Sequence, residues 1–154
     1  MLSQSKANEL NTLFGIEFND YAERQSGKWT CPLSEEIIGD YFIIPLISAK
    51  MLKSEGYLMD NCCRDYLELC EVQKYRIFSM RNLSDERVAT LGLRNDNGYW
   101  CFDQCFGPSN ADVLEETIEY LDEDAELQTE VLPSDLYYVA HEVVRLMNAG
   151  HGSH

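Results

Sequence analysis

The spacing of apolar residues changes period along this chain, and the change marks its centre. Met59, Cys62, Cys63, Tyr66, Leu69 and Cys70 recur three and four residues apart, with Asp60, Arg64, Asp65, Glu68 and Glu71 largely between them. That spacing predicts an amphipathic helix with a sulfur-rich face, beginning after Gly56. The period then falls to two. YRIFSMRN, RVATLGLRN and YWCFDQCF, between Tyr75 and Phe106, read as three strands, the last two joined through Asp96-Asn97-Gly98 as a tight hairpin. In the third, Trp100, Phe102, Gln104 and Phe106 share one face and Tyr99, Cys101, Asp103 and Cys105 the other. The aromatic face is expected to meet the helices.

The flanks read as helices. Ser3 or Ser5 can cap a first one through about Phe14, with Leu2, Leu10, Leu13 and Phe14 as an incomplete apolar face and Gly15 as its stop. The segment around Trp29 and Cys31 fits a short helix, a loop or a strand. Ser34, followed by Glu35, Glu36, Ile37 and Ile38, resembles a helix start, and Pro45 suits the first turn of another that runs to Gly56. After the Gly107–Asn110 turn, Val113, Leu114, Thr117, Ile118 and Leu121 form a helical stripe. Pro133 and Ser134 introduce a last helix with Leu136, Val139, Ala140, Val143, Val144 and Met147 on its apolar face and Gly150 at its end. The expected fold is α+β: a three-stranded antiparallel meander with helices packed on one face, forming one domain over residues 1–150, with residues 151–154 frayed.

Length and composition bound the class. At 154 residues and 45% hydrophobic content the chain suits one well-buried core. No run of apolar residues reaches the length of a membrane span and no export signal is seen, so a cytoplasmic setting is expected, with its six cysteines as free and mostly buried thiols. The net charge of −15 is unevenly placed. Residues 1–94 hold eleven Lys/Arg against fourteen Asp/Glu, whereas residues 95–154 hold thirteen Asp/Glu and only Arg145. Such a field repels nucleic acid and favours a basic protein surface as partner, although acidic faces also serve solubility alone.

The order Leu52, Glu55, Gly56, Met59, Asn61, Cys62, Tyr66, then Cys70, then I-F-S-x-R at Ile77–Arg81 and R-V-A-T-L-x-L-R at Arg87–Arg94, with a turn closing at Asn110, resembles the PcfJ-like domain. The resemblance covers roughly residues 46–112. It implies a protein of bacterial conjugative plasmids, phages or other mobile elements, in a family whose molecular role is poorly defined. Many members place a His immediately before the motif cysteine. Here Asn61 stands in that place, so a Cys-His pair at that point is absent.

The residues that could carry chemistry are few. Cys62, near a helix start where the dipole favours a thiolate, is a candidate nucleophile, and His141 is the sole internal histidine to serve it as a base. A buried thiol packed as a small hydrophobe is the simpler account. Cys101 and Cys105 have zinc-like spacing, but on a strand they would lie about 13 Å apart on one side, too far to share an ion, so neither a metal nor another cofactor is expected. No phosphate-binding, nucleophile-elbow or dinucleotide motif occurs. Arg76, Arg81, Arg87 and Arg94, with Tyr75 and Tyr99, make a strip too short to overcome the acidic field, so direct nucleic-acid binding is not expected.

These features favour a non-enzymatic interaction module that meets a basic partner through Glu115, Glu119, Asp122, Glu123, Asp124 and Glu126. A sharper version is an acidic decoy in which carboxylates imitate phosphates to occupy a nucleic-acid-binding protein. The alternatives are a cysteine-dependent enzyme built on Cys62 and a purely structural accessory domain. The oligomeric state is left open.

Overall fold

The structure, a computed structural model, describes residues 27–149. The helix expected before Gly15 and the tail at 151–154 lie outside the described residues. The architecture is α+β. A five-stranded antiparallel sheet runs in sequence order from β1 (Glu36–Ile38) through β2 (Tyr41–Leu46), β3 (Tyr75–Asn82) and β4 (Arg87–Asp96) to β5 (Tyr99–Phe106). A separate two-stranded sheet pairs β6 (Glu115–Leu121) with β7 (Leu127–Pro133). The helices are α1 (Ala49–Met59), α2 (Leu67–Glu71), preceded by a 3-10 turn at Cys63–Tyr66, and α3 (Asp135–Met147).

The three expected strands are β3, β4 and β5, in meander order. Two more precede them. Residues 36–38, expected to start a helix, instead pair with β2 across Gly39-Asp40, where Gly39 takes a φ of +59°. Two adjacent isoleucines favour extended backbone over helix, and glycine accepts the left-handed turn without strain. Pro45 lies within β2 rather than at a helix start. It pairs with Phe78 of β3 beyond the end of β1, which reaches only Ile43 of β2. No neighbouring strand there requires the N–H that proline lacks.

Helices cover both faces of the sheet, not one. Alternation sends Ile43, Phe78, Met80, Leu91 and Leu93 to a core shared with Leu136, Val139, Ala140, Val143 and Met147 of α3. On the opposite face Leu46, Tyr75 and Ile77 pack with Leu52, Cys63, Tyr66, Leu69 and Cys70 from α1, the 3-10 turn and α2. Each such aliphatic side chain contributes roughly 1.5–3 kcal/mol on burial. Trp29 belongs to this second core, and its indole N–H donates to the Leu46 carbonyl at 2.9 Å.

The continuous central helix is in fact two short pieces separated by a turn. Ser48 caps α1 by accepting from the Met51 N–H, and the helix runs through Gly56 to Met59, ending where Asp60 turns left-handed at φ 52°. Gly56 is thus no stop. A Cβ there would meet the Asn61 carbonyl oxygen at 3.1 Å and the Cys63 sulfur at 3.5 Å, so glycine lets the following turn fold back against α1. Arg76, almost fully buried, draws the end of α2 to the sheet by donating to the carbonyls of Cys70 and Thr30 and to the Gln73 side chain.

β5 departs from simple alternation as well. The β4–β5 register shifts between Gly92 and Leu93, so that Gly92 faces Gln104 while Leu93 faces Phe102. The extra residue, Asp103, makes a bulge that reverses the facing beyond it. Trp100, Phe102 and Cys105 therefore lie toward the α3 core, and Gln104 points with Asp103 toward Tyr75 and Tyr66 on the other side. The expected single aromatic face is divided. Cys101 and Cys105, placed on one side by strict alternation, stand on opposite sides.

Candidate functional site

Glu55 and Asn61 of the motif meet in a polar cluster between α1 and β4. Glu55 is fully buried; its Oε1 accepts from Arg87 Nε at 2.8 Å and its Oε2 from the Thr90 hydroxyl at 2.8 Å. Asn61 donates to the same hydroxyl oxygen at 3.2 Å, while its Oδ1 accepts from the Cys63 N–H at 2.9 Å. The Ser109 hydroxyl ties the turn after β5 to Asp60 at 2.9 Å, and Ser109 and Asn110 both adopt positive φ there. A buried carboxylate is tolerated where a cation and hydrogen bonds satisfy it. Glu55 and Asn61 thus join α1 and the turn after it to β4.

A second cluster fills the same face further along. Gln104 donates from Nε2 to the hydroxyls of Tyr66 and Tyr75 at 2.9 and 3.0 Å, and the Tyr75 hydroxyl donates to Asp103 Oδ2 at 2.7 Å. Arg94 stands 3.7 Å from the other oxygen of Asp103. Burial, then the charge of Asp103, raises the Tyr75 phenol well above its ordinary range, so it stays a donor. Spacing gave no sign of this cluster, because the bulge that turns Asp103 and Gln104 to one side is invisible to period counting.

The proposed nucleophile and base are not brought together. Cys62 is exposed at the turn before the 3-10 segment, without a side-chain capping bond. His141, on α3, stacks against Phe102 at 5.0 Å between ring centroids and lies 4.4 Å from the Tyr137 ring. The sheet separates them. Cys63 is buried and donates to the Leu52 carbonyl at 3.1 Å. Among the described residues no three His, Cys, Asp or Glu side chains gather as metal ligands would.

Burial raises the Cys70 and Cys105 thiols to about 12, and desolvation is the leading cause for both. An unfolded thiol ionises near roughly 8.5. As pH rises past that value the unfolded chain loses these protons while the native protein keeps them, so their stabilisation is whole below about pH 8.5 and declines above it, by about 1.4 kcal/mol per pH unit for each thiol. Urea midpoints are expected to fall steadily between about pH 8.5 and 10.5, with Cys105→Ala removing one proton's share of the slope. A slope unchanged by that substitution would contradict the burial.

The acidic residues form an arm, not a helix. Val113, Leu114, Thr117, Ile118 and Leu121 fit a helical stripe, but residues 115–121 pair in register with 127–133, from Glu115↔Pro133 to Leu121↔Leu127. Asp122 organises the loop. Its Oδ1 accepts from the N–H groups of Asp124 and Glu126 at 2.9 Å each and its Oδ2 from Gln128, and Ala125 takes a φ of 58°. The hydrogen bonds from Glu126, Gln128 and Asp124 hold the Asp122 carboxyl below its usual range. Every residue of β6 is exposed. Glu115, Glu119, Leu121, Leu127 and Val131 share one face, and Leu121, Leu127 and Val131 are more than half exposed. Ser134 anchors the base by donating from Oγ to the Val113 carbonyl and from N–H to the Leu114 carbonyl.

Taken together, these features define an α+β protein whose motif residues lock helices to an antiparallel sheet and whose most exposed chemistry lies on an acidic hairpin. The chain belongs to the PcfJ-like protein family, whose model matches residues 8–122. The match extends beyond the 46–112 resemblance at both ends and takes in β6. No curated protein and no solved structure matches the chain. Among the described residues no helix is long and apolar enough to cross a membrane.

Proposed function

We propose that this protein is a non-enzymatic interaction module of a bacterial mobile genetic element, binding a basic protein surface through the β6–β7 arm. The observation that carries the reading is the arm itself. Between residues 112 and 135 the chain has ten Asp/Glu and no Lys or Arg, and this stretch holds a two-stranded sheet with both carboxylates and large apolar side chains in solvent. An isolated two-stranded hairpin is marginal in water. A partner that covers Leu121, Leu127 and Val131 would stabilise it by about 25 cal/mol per Å² of apolar surface removed from water, while Glu119, Glu123, Asp124 and Glu126 select for positive charge and speed encounter.

The decoy version follows from the same surface, whose carboxylates would occupy the phosphate-binding groups of a nucleic-acid-binding protein. The combined substitution Glu115→Gln, Glu119→Gln, Asp122→Asn and Glu123→Gln is expected to weaken binding to the basic partner at least about tenfold at low salt. The melting temperature should not alter appreciably, since the new amide at position 122 keeps an oxygen to accept from the loop N–H groups and its NH2 can donate to the Gln128 side-chain oxygen once that amide turns over. Affinity measured by titration calorimetry at low and high salt checks this, and duplex DNA added as competitor should displace the protein if the decoy version holds. Unchanged affinity in the fourfold variant would remove the reading. The cysteine-dependent alternative would need a base beside Cys62, and His141 lies across the sheet from it.

A further inference from the structure

Among the described residues, the last strand of the main sheet leaves an edge with a groove beside it. Resting on the reading of the protein as a binder of basic partners, we infer that this groove receives an extended, arginine-bearing peptide, added antiparallel or parallel to β5 as a sixth strand. The groove measures about 440 Å³ and lies between Phe102–Phe106 and the segment that carries Asp112, Leu114 and Glu115. At its near end the sheet is closed by a side chain. Asn148 accepts from the Trp100 N–H and donates to the Trp100 carbonyl, each at 2.8 Å, which imitates one rung of a neighbouring strand. Trp100 therefore directs its backbone groups outward, and the alternation carried through the bulge directs those of Phe102 and Cys105 the same way.

The groove's charge decides the occupant. Its lining contains carboxylates and no Lys or Arg. Asp103 is engaged by Tyr75 and Arg94, whereas Asp112 and Glu115 are exposed at the groove's outer wall. A second hollow of about 280 Å³ adjoins it, sharing Leu114 and Glu115 and adding Tyr137. Tyr137 in turn packs against His141, which stacks on Phe102. A planar guanidinium fits these aromatic faces and pairs with Glu115, and backbone hydrogen bonds to the edge supply affinity independent of side chain.

The test uses the full chain and a synthetic octapeptide of four Arg-Val repeats, followed by amide hydrogen exchange and chemical-shift mapping. Exchange at the Phe102 and Cys105 amides is expected to slow at least about tenfold on saturation. The double variant Asp112→Asn, Glu115→Gln should bind the peptide about tenfold more weakly at low salt, with the new amide oxygen at position 112 retaining the acceptor that holds the Leu114 N–H. A Lys-Val octapeptide is expected to bind several-fold less tightly. Peptide-induced changes confined to residues 116–131, with Phe102 and Cys105 unprotected, would overturn the groove while leaving the arm in place. The absence of any peptide binding would also overturn it, and the arm variant Glu119→Gln, Asp122→Asn, Glu123→Gln, which leaves Glu115 of the groove in place, separately decides the wider reading.

Discussion

Replacing Gly92 by alanine is expected to cost about 3–4 kcal/mol, among the largest effects of any single methyl added to this protein. A Cβ at position 92 would lie 2.8 and 2.9 Å from two ring carbons of Tyr75 and closer still to its hydroxyl oxygen. The ring has little room to yield. It packs 4.8 Å, centroid to centroid, from Tyr66, and its hydroxyl is held between Asp103 and Gln104. Overpacking a filled core costs roughly 1–3 kcal/mol, and displacing the phenol forfeits a hydrogen bond to a carboxylate worth about 1.5 kcal/mol more. Urea unfolding measures the sum. In a Tyr75→Phe background the closest atom is gone, so Gly92→Ala should cost distinctly less there. Equal costs in the two backgrounds would show that the Tyr75 hydroxyl does not set the requirement for glycine.

That requirement illustrates what the sequence conceals. The β3–β5 meander was legible because its signals are local: three runs rich in β-formers, and an Asn97-Gly98 turn whose positive φ angles of 54° and 91° these residues adopt readily. The α3 face was legible for the same reason, its apolar residues repeating at helical spacing and packing into the core. β1, β2 and the arm were not. Val113, Leu114, Thr117, Ile118 and Leu121 satisfy a helical period, and glutamate favours helix in isolation, yet the outcome is decided by pairing with residues 127–133 and by the Asp122 loop. Pairing between strands is a non-local fact. The break at Asp60 was hidden similarly, since Met59, Cys62, Cys63 and Tyr66 keep helical spacing on both sides of it while Gly56 admits the returning turn. Of the candidate site, the acidic positions were visible as charge, but their presentation on a hairpin with apolar neighbours was not.

The Glu55–Arg87 pair should show the other large response, and its pattern bears on what the family motif is for. Arg87→Met removes the cation paired with a carboxylate that is fully buried, while the Thr90 hydroxyl continues to donate to it. Stripping one member from a buried pair typically costs about 3–5 kcal/mol; because the Arg87 side chain is itself a quarter exposed, about 2–3 kcal/mol is expected after allowing for solvent screening. In a Thr90→Val background, where no buried hydroxyl is left without its acceptor, the double variant Glu55→Met, Arg87→Met should recover to within about 1 kcal/mol of the parent, as apolar replacement of both partners removes the uncompensated charge along with the attraction. Chemical denaturation of the single and double variants measures the coupling. If the motif locks α1 to β4, the double variant also keeps its affinity for a basic partner, because the pair's hydrogen bonds run between α1 and β4 while the arm's strands pair with each other. A folded double variant that has lost that affinity would place the binding chemistry at the motif instead, and residues 55–61, rather than the acidic hairpin, would then be the surface to map.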